Sequence, residues 1–315
     1  MNILICSEFY YPSIGGAQKV ALELSKNFRD NSHSVSVATS ILFNNQKKYE
    51  KLNEISIYRF KVEGNFTNGM RGEIKRYQNF LKNESFDVIL FYAAQQWTFD
   101  AAIEIFDEIK SNLYLATCGF SRMNNFRYKN YYKLLSKLLK QLNCNIVHSK
   151  NYQDTNFLKL NKIKNCIVIP NAASNEFFFN KKENFLKKLK INQEDINILN
   201  VSTFKFNKGQ DLSILALFFL KNKNKINMIF VGDKFSSTIY KIYLKILKFF
   251  VEIIHKNKKI YFLEKINRNN VIDIFFESKV FLFTSRVECS PLVLFESSAA
   301  GLPFVSIDVG NAREI

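Results

Sequence analysis

The chain has 315 residues, 47% hydrophobic and 23% charged, a length that favours two cores over one and a composition that argues against disorder. Its net charge of +17 raises the question of an anionic partner: nucleic acid, anionic lipid or a phosphorylated substrate. The five cysteines are scattered and never form a C-x-x-C pair, which argues against a disulfide framework or a cysteine zinc site and for a reducing, cytoplasmic setting.

Apolar runs of strand length alternate with helical patterns from the start. Strands are expected over residues 2–7, 34–38, 55–60, 88–92, 113–117, 146–149 and 167–170, with helices over 17–28 and 98–109. No basic leader precedes the first strand, and no uncharged apolar run reaches the roughly 18 residues of a membrane span, so neither export nor spanning is expected. A second series follows: strands over 196–201, 227–231, 260–263, 280–283 and 304–306, and helices over 210–220, 237–254, 268–277 and 291–300. Residues 171–195, rich in Asn and Lys, read as linker and first helix of the second series. The expected class is therefore α/β, with two Rossmann-like doubly wound domains, 1–170 and 171–315, and a ligand held at the carboxyl ends of their strands.

Three segments carry chemistry. The first strand runs into Glu8-Phe-Tyr-Tyr-Pro-Ser-Ile-Gly15-Gly16, where paired glycines before a helix let a bound group approach the backbone. A dinucleotide fingerprint is absent, since there is no G-x-G-x-x-G and no acid ends the second strand. In the second series the strand over 196–201 leads to Thr203, Lys208 and Gly209, where a fixed cation could neutralise a departing diphosphate. The third segment runs from Glu288 to Pro303: Ser290 is placed to cap a helix, Pro291 to be its first residue, and Gly301 to close it in the left-handed conformation. The start of that helix, at Ser290, Pro291 and Leu292, offers free N–H groups to an anion, and Glu296 within it needs a hydroxyl or a cation as partner.

Glu288 and Glu296, separated by seven residues and followed by Ala300-Gly301-Leu302-Pro303 and Asp308-Val309-Gly310, resemble the signature of retaining family 4 glycosyltransferases of the GT-B fold. The resemblance implies two domains facing across a cleft, metal-independent transfer, no cofactor, and a nucleotide diphosphate sugar as co-substrate. It also implies roles. Glu288 faces the donor sugar and Glu296 the ribose, while Lys208-Gly209, the Gly15-Gly16 loop and the helix start at Pro291 meet the diphosphate. The implied acceptor is a hydroxyl of a glycan or a lipid-linked acceptor in bacterial envelope polysaccharide assembly. Relatives continue beyond the point where this chain stops, so an incomplete second domain is expected.

The chain departs from that pattern twice. Thr203 stands where an arginine is usual, with Lys205 nearby, and Cys118, before Gly119, stands on the sugar side where many relatives carry a histidine. His33, His148 and His255 are isolated and read as structural, and no Asp-x-Asp metal element occurs. The departures keep open a non-catalytic GT-B subunit that binds a sugar nucleotide or a partner. The charge keeps open a nucleic-acid binder, against which stands the absence of any nucleic-acid motif. Finally, no acid occurs from Ile109 to Gln153, and Tyr131, Leu135, Leu138 and Leu142 recur at helical spacing with Lys133, Lys137 and Lys140 opposite. That helix is read either as core-packed or as a peripheral contact with an anionic membrane.

Overall fold

The computed structural model describes residues 1–13, 15–179 and 184–315, which form two compact units, Met1–Pro170 and Asn171–Ile315. The first contains, in chain order, β1 (Asn2–Ser7), α1 (Gly16–Asp30), β2 (Ser34–Ser40), β3 (Tyr49–Leu52), β4 (Ile55–Phe60), β5 (Val62–Asn65), β6 (Gly69–Gly72), α2 (Ile74–Asn83), β7 (Val88–Tyr92), α3 (Trp97–Asp100), β8 (Asn112–Ala116), α4 (Lys129–Gln141), β9 (Cys144–Val147), α5 (Gln153–Leu160) and β10 (Cys166–Val168). Its main sheet has the order β10-β9-β8-β7-β1-β2-β4-β3, parallel except for β3, while β5 and β6 pair apart from it. Side chains alternate as a two-sided parallel sheet requires: Ile3 and Ile5 join one buried cluster with Ala21 of α1, and Leu4 and Cys6 join another with α2 and α4.

The second unit contains α6 (Phe185–Lys188), β11 (Ile196–Val201), α7 (Gln210–Phe219), β12 (Ile226–Gly232), α8 (Thr238–Ile254), β13 (Lys258–Glu264), α9 (Arg268–Glu277), β14 (Val280–Phe283), α10 (Leu292–Ala299) and β15 (Phe304–Ser306). Its sheet is parallel, in the order β13-β12-β11-β14-β15. Ile198, Met228, Phe230 and Ile260 pack against α7 and α8 on one face, and Leu199, Ile229 and Val231 against α6, α9 and α10 on the other. Both units are thus Rossmann-like. In each, the parallel connections set off in opposite directions from one adjacent pair of strands, β1 and β7 in the first and β11 and β14 in the second. Loops leaving such a pair diverge to opposite faces and leave a crevice at the carboxyl ends of the strands.

Three expectations need correcting. The helix over 98–109 is α3 followed by a 3-10 turn, Ile103–Glu108. Tyr77 Oη donates to the Thr98 carbonyl at 2.7 Å and Gln78 Nε2 to the Ala101 carbonyl at 2.9 Å, while the amides of Ala102 and Ile105 turn to carbonyls three residues back. The apolar stripe of α4 lies in the core of its own unit, with Tyr131, Leu135, Leu138 and Leu139 buried and only the lysine face exposed, so the stripe does not serve as a membrane-inserting face. Ser290 caps no helix: Pro291 is the N-cap of α10, and Ser290 Oγ accepts from Asn311 Nδ2 at 3.1 Å. Ile14 of the glycine loop and residues 180–183 of the linker lie outside the described residues.

Candidate functional site

The loops after β11 and β14, the pair at the second unit's switch point, are stapled together. Arg286 N donates to the Asn207 carbonyl at 2.8 Å, and Thr284 Oγ1 donates to the Gly209 carbonyl at 2.6 Å. Gly209 sits at φ +67, and a Cβ there would lie 1.9 Å from the Thr284 carbonyl oxygen, so this approach of two backbones needs glycine. The staple brings Lys208 Nζ to 2.6 Å from Glu288 Oε1, which also accepts from Ser285 Oγ at 2.7 Å. Both side chains are mostly buried yet reach solvent, at 22% and 16% exposure, as a site that must admit a ligand requires. Thr203 is exposed, and its carbonyl accepts from Gln210 Nε2 at 2.9 Å.

The same loops hold an arginine that the sequence reading missed. Arg286 forms a two-point pair with the buried Asp211, at 2.9 and 2.7 Å, and its guanidinium lies over the Phe206 ring at 4.1 Å. This planar fork fixes the loop and does not fill the position held by Thr203. The available signal was a basic residue two positions before Glu288 at a strand end.

α10 begins next to these loops without a side-chain cap, whereas α8 and α9 are capped by Ser237 and Asn267. Its leading N–H groups at Leu292 therefore lack the side-chain acceptor that closes those two helices. Glu296, buried in the next turn, accepts from Arg268 of α9 at 2.7 Å. Arg268 also reaches Glu176 at 3.0 Å and covers the Phe177 ring at 4.6 Å. Burial disfavours the charged guanidinium, and the two carboxylates outweigh it, so the Arg268 pKa is raised. The partner that Glu296 needed is a cation supplied from within the unit.

In the first unit, Gly15 precedes α1 in extended backbone and Gly16 is its first residue, again with no side-chain cap. A Cβ on Gly15 would meet only the end of the flexible Gln18 side chain, so the backbone here does not demand glycine. The switch point of this unit carries two carboxyls that the motif reading left without a role. Asp100, at the end of α3, accepts from Tyr131 Oη and Phe66 N, both at 2.9 Å, and burial pushes it up to about 6. Glu8, directly after β1, is pushed up to about 7 by burial and by the charge of Asp100. Glu8 thus exchanges a proton near neutrality beside the glycine loop.

Because both carboxyls hold protons more tightly folded than unfolded, they leave stability intact below about pH 4 and reduce it as pH rises toward 7. The thermal midpoint of unfolding should therefore fall between about pH 4 and 7 and level off above that, and Glu8→Gln should flatten the upper part of that decline in a melting series. An unaltered slope would mean that Glu8 ionises as an ordinary surface acid.

Cys118, at the end of β8, has φ +55, and its Sγ lies 3.6 Å from His148 Nε2, from the end of the adjacent β9. His148 Nδ1 is 2.8 Å from the Ile169 carbonyl, a contact that requires Nδ1 to carry the proton and leaves Nε2 as the acceptor for the thiol. Burial pushes Cys118 up to about 12, so the group is a thiol at neutral pH. Gly119 N donates to Asp154 Oδ2 at 3.0 Å. An imidazole therefore does stand beside this strand end, delivered by the neighbouring strand, and its contacts with the Ile169 carbonyl and the Cys118 thiol are those of a buried side chain with both ring nitrogens engaged. Among the described residues no cluster of metal-ligating side chains occurs.

Residues 181–315 match the model of the family described as glycosyl transferases group 1. The match covers most of the second unit. The match includes Thr203, Lys208, Gly209, Arg286, Glu288, the start of α10 and Glu296, and ends with the chain. No curated protein matches the chain by sequence. Among solved structures, it is similar to sucrose-phosphate synthase from Thermosynechococcus elongatus, with a TM-score of 0.77 and 14% identity over 98% of this chain and 82% of that one. It is also similar to Anabaena HepE in complex with UDP, at 0.73 and 17% over 100% and 82%. The E. coli trehalose-6-phosphate structure bound with UDP-2-fluoro glucose gives 0.74 and 15% over 100% and 86%. These likenesses establish the GT-B fold for the chain, whose two main sheets are both Rossmann-like.

Proposed function

We propose that the protein transfers a sugar from a nucleotide diphosphate sugar to a hydroxyl of a glycan or lipid-linked acceptor, with retention at the anomeric carbon. The observation that carries this reading is the Lys208–Glu288 pair at a switch point, beside the uncapped start of α10 with Glu296 one turn inside it. The diphosphate takes the N–H groups of Leu292 and its neighbours together with the Lys208 ammonium. Glu296, already oriented by Arg268, accepts from the ribose hydroxyls. Glu288 meets the sugar hydroxyls with the oxygen lone pairs that Lys208 and Ser285 leave available.

In the transfer step the bond from the anomeric carbon to the phosphate oxygen breaks, and the acceptor oxygen bonds to the same face of that carbon. The acceptor proton passes to the departing phosphate oxygen, giving nucleoside diphosphate and glycoside. Lys208 and the start of α10 stabilise the charge that grows on the diphosphate. The first unit, with its Gly15-Gly16 loop and Glu8, serves the acceptor, and envelope polysaccharide assembly is the setting that suits an acceptor carried on lipid. The titles of the similar structures name UDP and UDP-sugars, which makes UDP the first nucleotide to test.

The test is calorimetric titration of the protein with UDP, GDP and ADP diphosphates and their sugars, followed by product analysis. Glu296→Ala should weaken binding of the preferred nucleotide by about 1–3 kcal/mol, because hydroxyls are left unpaired at a buried site. Arg268→Lys, which keeps a cation beside Glu296, should bind within a few-fold of wild type. Unchanged affinity in Glu296→Ala would remove this carboxylate from the ribose. Nucleotide binding without transfer to any acceptor would favour instead a non-catalytic sugar-nucleotide subunit, the reading that the Thr203 and Cys118 departures support.

A further inference from the structure

α8 has two apolar faces. Tyr240, Leu244 and Val251 point into the sheet and are buried, as a helix covering one side of a doubly wound unit requires. On a separate face Ile239, Ile242, Ile246, Phe249, Phe250 and Ile253 repeat at 3-, 4- and 1-residue steps and stand in solvent, Ile239 at 80%, Phe249 at 60% and Phe250 at 53% exposure. A surface helix normally presents polar residues there. Lys241, Lys245, Lys248 and Glu252 occupy the remaining arc. Beside it, α7, which packs along α8, adds the exposed Leu215 and Phe219, at 39% and 74%, and apolar side chains gathered in this way on a surface mark an interaction site.

The charge around this surface selects its occupant. From Leu212 to Lys259 the chain carries ten lysines against two acids, Asp233 and Glu252. Lys221, Lys223 and Lys225 lie in the loop after α7, Lys256 and Lys259 just beyond α8, and Lys245 on α8 itself, all exposed. Two copies joined through this face would bring the exposed lysines of both together, so the charge opposes self-association. An anionic bilayer satisfies both features, because acyl chains accept the Ile and Phe side chains while headgroups accept the ammonium ions. Among the described residues no helix is long and apolar enough to cross a membrane, so α8 would lie in the plane of the interface.

We infer that the α7–α8 face of the second unit is an interfacial membrane anchor that seats on anionic lipid. The inference does not depend on the transfer reaction, since its readout is binding alone. Flotation with vesicles of phosphatidylcholine, with and without phosphatidylglycerol, measures partition of the whole chain. The wild type should float with the anionic vesicles and retain part of that binding at 0.5 M salt, because the apolar contribution is not screened. The combined variant Ile246→Gln, Phe249→Gln, Phe250→Gln and Ile253→Gln should reduce partition by about tenfold or more. These side chains are exposed, so circular dichroism should show an unchanged fold. As a second probe, Ile242→Cys carrying an environment-sensitive dye should shift to the blue with anionic vesicles.

Charge reversal on the other helix, Lys133→Glu, Lys137→Glu and Lys140→Glu, should affect partition less than the α8 variant does. The inference is overturned if the folded α8 variant floats as well as wild type, if the α4 reversal alone abolishes flotation, or if the dye does not shift. It is equally overturned if sedimentation shows a lipid-free dimer that the α8 variant dissolves, because the face is then an interface between copies.

Discussion

Lys208→Ala is expected to lower kcat by about 10²–10³-fold while weakening the donor Kd far less, the pattern of a group whose charge meets an oxyanion that develops in the transition state. The ammonium is held at 2.6 Å from Glu288, on a loop fixed to the next strand-end loop by backbone and hydroxyl contacts. Its position is therefore set before any ligand arrives, and such preorganisation is what makes one charge count. The pairing does not disable it. A lysine has three N–H donors, and the contact with Glu288 Oε1 occupies one of them. An incoming diphosphate carries more negative charge than the carboxylate it would share the ammonium with, so attraction to the pair persists.

The pair complicates the single mutant, because removing Lys208 leaves Glu288 with Ser285 and no cation. That unpaired carboxylate would itself repel a diphosphate. Three proteins separate the effects: Lys208→Ala, Glu288→Gln and the double variant. If Lys208 acts on the diphosphate, the double variant should recover only the part of the loss that repulsion by Glu288 causes and stay well below both wild type and Glu288→Gln, since neutralising Glu288 restores no cation. If Lys208 serves only to hold Glu288, both single variants and the double should show one common loss, the mark of residues acting as a unit. Equal losses in kcat and Kd in Lys208→Ala would reduce the residue to a binding group. Pre-steady-state measurement of donor cleavage gives the cleanest kcat.

Much of the fold was legible because its signals are local. The strands of both parallel sheets are short, nearly continuous apolar runs, which is how a strand buried on two faces must read, and Gly301 and Pro303 mark the end of α10 in the sequence itself. The family resemblance rests on Glu288 and Glu296, and the structure places the first in the loop after β14 and the second inside α10. What the sequence did not reveal was pairing across distance. Nothing in the spacing says that Arg268 comes to Glu296, that Arg286 locks Asp211, or that His148 reaches Cys118, because each pair joins elements brought together only by sheet order. α4 shows the same limit from the other side. An amphipathic helix has one pattern whether its apolar stripe meets a core or a lipid, and only its packing against Leu115 and Phe157 within the same buried cluster decides. The sequence marks α8 only as a helix over 237–254; the distinction between its buried and exposed faces needs the sheet beneath it.

Gly209→Ala is expected to destabilise the second unit by about 2–5 kcal/mol, combining ~1–2 for a side chain in the left-handed region with ~1–3 for overpacking. The obstacle is backbone, since the new Cβ would fall 1.9 Å from the Thr284 carbonyl oxygen, and neither partner can turn aside as a flexible side chain would. Relief requires the loops after β11 and β14 to separate. That breaks the Thr284 Oγ1 contact to the Gly209 carbonyl and, through Ser213, a buried hydroxyl pair at 2.7 Å. The same separation withdraws Lys208 from Glu288, so stability and activity should fall together. Gly301→Ala is the control. Its φ is also +67, yet nothing lies within 4 Å of the added Cβ, and it should show only the conformational part, about 1–2 kcal/mol. Denaturant melts compare the two variants, with donor titration on the folded fraction of each. If Gly209→Ala melts like Gly301→Ala and binds donor normally, the loops tolerate separation and the staple does not set the position of Lys208.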